Sequence, residues 1–196
     1  MILAHQNNGR VVFEEYRTDA GGQRTDLQPS GGEFGLTKGF ATLWTHFYSG
    51  NRSASTFKLL GTQKLGRRKI WVVAFAQRPG WASSVGRVES NGKSVVILFQ
   101  GIAWIDPSNY QIMRMRTDLL APRPDIGLVR QTTKSEFSEV RLAALATPLW
   151  LPREVEVTIV WRGELFHNEH RYTNYRLFRV ESTILPIAPG QRIPQN

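Results

Sequence analysis

The residues that could do chemistry are few, and their spacing argues against most of it. His167-Asn168-Glu169-His170 is the one compact set of imidazole and carboxylate groups, the donor types that zinc takes. On a strand His167 and His170 face opposite sides, and His5 and His46 lie in unrelated stretches, so an exposed hairpin is expected there rather than a metal site. The chain has no cysteine, which removes thiolate nucleophiles, disulfides and cysteine-zinc sites together. No Gly-x-Ser-x-Gly elbow presents a serine. The carboxylate pairs Glu14-Glu15, Glu136 with Glu139 and Glu154 with Glu156 sit in alternating contexts that suit solvated charge. Gly31-Gly32-Glu33-Phe34-Gly35 lacks the lysine of a phosphate loop and the buried strand that precedes a dinucleotide site. The expectation is therefore a non-enzymatic protein with no catalytic residue, metal or cofactor.

What remains is an excess of large apolar side chains in alternating runs. Trp71, Val73 and Phe75; Leu98, Ile102 and Trp104; Met113 and Met115; and Trp161 with Val157 recur at strand spacing. Either the sheet carrying them curls until they fill one another's space, or it stays partly open and they line a cavity for an apolar ligand. Residue types alone leave both open, since methionine pairs suit cores and adaptable binding surfaces alike. Arg114 and Arg116 end the strand that holds the methionines, and they are the candidate contacts for an anionic headgroup.

The net charge of +9 invites a nucleic-acid or anionic-surface reading. Its distribution weakens that reading. The one dense cluster is Lys64, Arg67, Arg68 and Lys69 around Leu65-Gly66, and the other arginines are scattered among carboxylates. Solvated strand faces are expected, with no specific nucleic acid as partner.

The elements that must position these residues are mostly strands. Over 196 residues, 41% hydrophobic and 11% aromatic, the chain suits one domain, long enough to bury roughly 70% of its unfolded surface. No apolar run approaches the ~20 residues that span a bilayer, and Met1-Ile2-Leu3-Ala4 gives way at once to polar residues rather than a signal peptide. Alternation predicts strands at Arg10 to Arg17, Phe57 to Lys64, Arg67 to Gln77, Val95 to Ile105, Tyr110 to Leu119, Leu128 to Arg141, Val155 to Trp161 and Arg171 to Ser182, with a loop at Glu164 to Asn168. Asp106-Pro107-Ser108-Asn109 is a turn, in which Asp106 closes the hairpin and Ile105 is expected to face Tyr110. That register puts Trp104 and Met113 on one side, and Ile105 and Ile112 on the other. One helix is expected over Ser30 to Tyr48, with Ser30 and Glu33 as a capping box and Leu36, Phe40, Leu43 and Phe47 as its apolar stripe against the sheet. Short links favour an antiparallel meander. The core is placed at about residues 10–184, with a tail at 185–196.

The order of these elements is familiar. Ser30-Gly31-Gly32-Glu33-Phe34-Gly35 leading into a helix, Leu65-Gly66-Arg67-Arg68, Gly101-Ile102-Ala103-Trp104-Ile105-Asp106-Pro107 and Leu149-Trp150-Leu151-Pro152-Arg153-Glu154-Val155 resemble a group of uncharacterised bacterial cell-envelope proteins. The glycine, tryptophan, isoleucine and aspartate element before a hairpin also looks like the outer-membrane lipoprotein carrier family (LolA, LolB and LppX-like). The resemblance runs from about Val11 to Ser182. It implies a mainly β (α+β) fold, a curved antiparallel sheet or unclosed half-barrel with one main amphipathic helix on its concave face. It further implies a periplasmic or cell-envelope location and a lipid, acyl chain or lipoprotein as partner, with peripheral membrane contact. Family members carry a secretion signal and further N-terminal elements, which this chain is expected to lack.

Overall fold

A computed structural model describes residues 2–7, 10–15, 46–80, 86–90, 93–142 and 145–175. The strands are β1 (Ile2–Asn7), β2 (Arg10–Glu15), β3 (Ser55–Leu65), β4 (Arg68–Gln77), β5 (Arg87–Ser90), β6 (Lys93–Val96), β7 (Phe99–Ile105), β8 (Ile112–Leu119), β9 (Leu128–Val140), β10 (Leu149–Trp161) and β11 (Glu164–Arg171). Seven of them form one unclosed sheet in the order β11-β10-β9-β8-β7-β4-β3, and every neighbouring pair is antiparallel. The chain is thus mainly β and meanders as its short links require. The exception is β5-β6, a separate two-stranded hairpin between β4 and β7, where a loop was expected. β1 and β2 form another such pair.

Turn chemistry explains the hairpins. Gly66 takes φ of 59° in the two-residue link between Leu65 and Arg68. Arg162 and Gly163 take φ of 50° and 84° between Trp161 and Glu164. Two successive residues at positive φ twist a hairpin in the sense that the strands already have, so β11 begins at once. Glu164 to Asn168, expected as a loop, is strand. The strand expected over Arg171 to Ser182 lies outside the described residues beyond Tyr175, and residues 172–175 are irregular.

Most of the helix expected over Ser30 to Tyr48 also falls outside the described residues. Its end, His46 and Phe47, is a turn, and the helical segments among the described residues are the short 3-10 turns Ser49–Ala54 and Pro124–Ile126. No described helix covers the sheet.

One face of the sheet holds the core. Phe75, Phe99, Ala103, Met115, Phe137, Val155, Val157 and Ile159 are buried together, with Ile105, Ile112, Trp150, Trp161 and Phe166 packed against them. The ladder shifts register between Leu59 and Gly61, at Trp104/Ile105, at Pro152/Glu154 and at Val160/Trp161. Such bulges bend a strand and increase its twist. The bend is visible in one contact: the Arg68 guanidinium of β4 lies 5.4 Å from the centre of the Trp150 ring of β10. Four strand steps separate β4 from β10, about 19 Å in a flat sheet at ~4.8 Å per step, so the sheet must curve to bring these side chains together.

Candidate functional site

The register divides the nine apolar candidates. Trp71, Val73 and Phe75 of β4 stand opposite Ile105, Ala103 and Gly101 of β7 and share the buried side with them. Met115 joins that side because it faces Ala103, and Trp161 packs on the same core. Ile102 and Trp104 point the other way, beside Ala74 and Val72. Met113 is the extra residue of a bulge: Trp104 faces Arg114 while Ile105 faces Ile112, with the register shift between them. Leu98 precedes β7, and its carbonyl accepts a hydrogen bond from the Leu120 N–H.

Two expectations about this hairpin are corrected. Ile105 faces Ile112 and not Tyr110, and Ile105 and Ile112 pack on the core rather than on the reverse side. The turn widens because the Tyr110 N–H donates to the Asp106 carbonyl with Tyr110 at φ 57°. Asp106 does close the loop as expected. Its Oδ1 accepts from the Ser108 N–H at 2.9 Å and from Ser108 Oγ at 2.6 Å, and its Oδ2 accepts from Arg68 at 2.7 Å. The bonds from Ser108, reinforced by Arg68, hold this buried carboxyl below the usual aspartate range.

Apolar surface stays accessible at the β3 end of the sheet. There Phe47 lies 5.3 Å from Phe75 and 5.5 Å from Phe57, centroid to centroid, and His46 lies 5.0 Å from Phe75. Phe57, Leu59 and Leu60 on this edge strand are 37%, 57% and 53% exposed. A hollow of about 570 Å³ opens on the reverse, ion-paired side of this end, where Lys58, Ala74 and Ile102 stand side by side next to Ala76, Gln100 and Asp118, with Phe57, Phe75 and Gly101 between them. A second hollow of about 670 Å³ adjoins it, lined by Ser49, Arg52, Ser53, Ser55, Thr56, Phe57 and Arg78. Thr56 and Phe57 border both.

The opposite face of the sheet is an ion-paired lattice. Glu136 bridges Arg114 at 2.9 Å and Arg153 at 2.6 Å, Asp118 takes Arg116 at 2.9 Å, and Glu156 takes Lys134 at 2.9 Å. Asp118 raises the pKa of the Arg116 guanidinium and Lys134 lowers that of the Glu156 carboxyl, each through the hydrogen bond of the pair. Arg114 also lies 5.9 Å from the centre of the Trp104 ring, whose N–H donates to Gln63 at 2.9 Å. The candidate headgroup contacts Arg114 and Arg116 are therefore already neutralised by carboxylates on the same sheet. The basic turn is also reduced, since Arg68 is committed to Asp106.

Inside the sheet, β9 carries Gln131, Thr133 and Ser135 on the buried side, at 2%, 4% and 1% exposure. Gln131 Oε1, Thr133 Oγ1 and Ser135 Oγ make no hydrogen bond. His167 and His170 fall on opposite faces of β11, opposite Thr158 and Val155, and among the described residues no three histidine or acidic groups converge on a possible metal position. The sequence signals missed were Arg52, Arg78 and the serines near them, which are polar residues in turns until the fold groups them. No family model, no curated protein and no solved structure matches the chain.

Proposed function

We propose that this chain is a non-enzymatic binding domain for a lipid or other lipophilic ligand, held against the apolar face of an unclosed half-barrel in a bacterial cell envelope. The observation that carries this reading is the unclosed β3 edge of that face, where Phe47, Phe57 and Phe75 cluster and Leu59 and Leu60 of the edge strand stay exposed. Burial alone is the mechanism. Each CH₂ moved from water onto such an apolar face contributes about 0.8 kcal/mol, so reversible uptake of an acyl chain needs no catalytic group. In this reading the amphipathic stretch Ser30 to Tyr48, with Leu36, Phe40 and Leu43 on one stripe, is the cover of the concave face.

Uptake of a fluorescent fatty-acid probe by the purified chain tests the reading. Phe57→Arg is expected to weaken uptake at least tenfold, because it sets a charge within the aromatic cluster, while Lys64→Gln with Lys69→Gln leaves uptake unchanged. Unchanged uptake in Phe57→Arg, or no uptake by the unsubstituted chain, would overturn it.

A further inference from the structure

The hollow beside the aromatic cluster brings together two arginines that no carboxylate holds, whereas Arg67 and Arg130, also without one, line neither hollow. Arg52 and Arg78 line it, and neither makes an ion pair or other side-chain contact among the charged groups described. By contrast Arg68, Arg114, Arg116, Arg123, Arg141, Arg153 and Arg171 are each bound to a carboxylate. The hydroxyl residues Ser49, Ser53 and Ser55 share this lining with Arg52 and Arg78, as does Thr56, whose hydroxyl donates to the Ala76 carbonyl at 3.3 Å, and the described lining contains no carboxylate. Ser55 is only 5% exposed. The two arginines come from distant parts of the chain, and the backbone holds them in place: Ser55 pairs with Gln77, and the Arg78 N–H donates to the Ala54 carbonyl at 2.8 Å.

We infer that this hollow binds a phosphate monoester through the guanidinium groups of Arg52 and Arg78 and the serine hydroxyls that share its lining. Guanidinium groups meet phosphate oxygens with two donors at once, and charge-assisted bonds of this kind are the strong ones. Hydroxyl groups supply further donors without competing negative charge. Free arginines in a concave, acid-free setting are what an anion site requires, and a dianionic phosphate suits a pair of them. The inference deepens the lipid reading, because Phe57 of the aromatic cluster also lines this hollow and a phosphate headgroup there would leave its acyl chain beside Phe57. It can nevertheless fail or stand by itself.

The test uses the whole chain with two probes: inorganic phosphate by titration calorimetry, and vesicles of phosphatidylcholine alone or equimolar with phosphatidic acid by co-sedimentation. Arg52→Gln with Arg78→Gln should weaken binding by about tenfold for each arginine removed. Lys64→Gln with Lys69→Gln removes the same net charge from exposed positions and should leave binding within twofold. Arg52→Lys with Arg78→Lys keeps the charge but not the fork, and should recover only part of the loss. Binding of phosphate with neither vesicle type bound would point to a soluble phosphate, and binding of the phosphatidic acid vesicles but not of phosphatidylcholine alone to a headgroup. Both support the site if they depend on the arginines. Absence of binding to either probe, or an equal loss in the lysine variant, would overturn it. Uptake of a neutral fluorescent fatty-acid methyl ester, used here in place of the free acid, should be untouched by the arginine change, which separates failure of this site from failure of the apolar face.

Discussion

The ring of Phe75 lies directly against the backbone of Gly101. A Cβ at Gly101 would stand 2.7 Å from Phe75 Cζ and closer still to the Arg116 carbonyl oxygen. Gly101 faces Phe75 across β4-β7 and Thr117 across β7-β8, so three neighbouring strands close on one missing side chain. Gly101→Ala forces the carbonyl and the ring apart together, and we expect a loss of about 1 to 3 kcal/mol, the usual cost of overpacking. Urea unfolding checks it, and an unchanged midpoint would sink the close approach described here.

Gln77 is 4% exposed, and its Oε1 accepts the Phe99 N–H at 2.7 Å. This side chain stands in for a ladder partner at the start of β7. Gln77→Ala removes the acceptor at a buried position and should cost about 1 to 3 kcal/mol. Gln77→Glu, which keeps an acceptor oxygen but adds charge, should also destabilise at neutral pH. Thermal melts of both variants decide the matter.

Asp106 links the β7-β8 turn to Arg68. Its carboxyl ionises at a lower pH in the folded chain than in the unfolded one. The stability this contributes is therefore complete above the ordinary aspartate range, near 4, and is lost as pH falls through the lower folded value. Asp106→Asn should cost about 1 kcal/mol at pH 7 and flatten the acid limb of the stability curve. An acid limb identical to that of the unsubstituted chain would refute the assignment.

Thr133 Oγ1 is buried and without a hydrogen bond. A buried hydroxyl that makes no bond loses its hydration for nothing, and replacing it by an apolar isostere is neutral or stabilising. We expect Thr133→Val to leave the denaturation midpoint unchanged or to raise it, by up to about 1 kcal/mol. A loss larger than that would mean that the hydroxyl has a partner in solution, such as water or ligand.

Alternation of apolar and polar residues, which each segment carries by itself, was enough to place β4, β7, β8 and β9 and to predict an antiparallel meander. Local turn chemistry was likewise readable at Asp106-Pro107-Ser108, because the side chain that closes the loop lies two residues from the N–H it accepts. Which residues share a face was not readable. A bulge adds one residue to one strand only, so the extra residue at Met113 separates Met115 from Trp104, and nothing in the alternation of β8 alone announces it. Ion pairing was decided in the same way. Arg114 and Glu136 meet only because β8 and β9 pair in one register, which turns the expected headgroup contacts into internal neutralisation. The hollow between Arg52 and Arg78 is the converse case: two arginines in unrelated turns become neighbours because Ser55 pairs with Gln77. Periodicity is a property of one segment, whereas register, bulges and charge pairing are properties of two, and the site depends on the second kind.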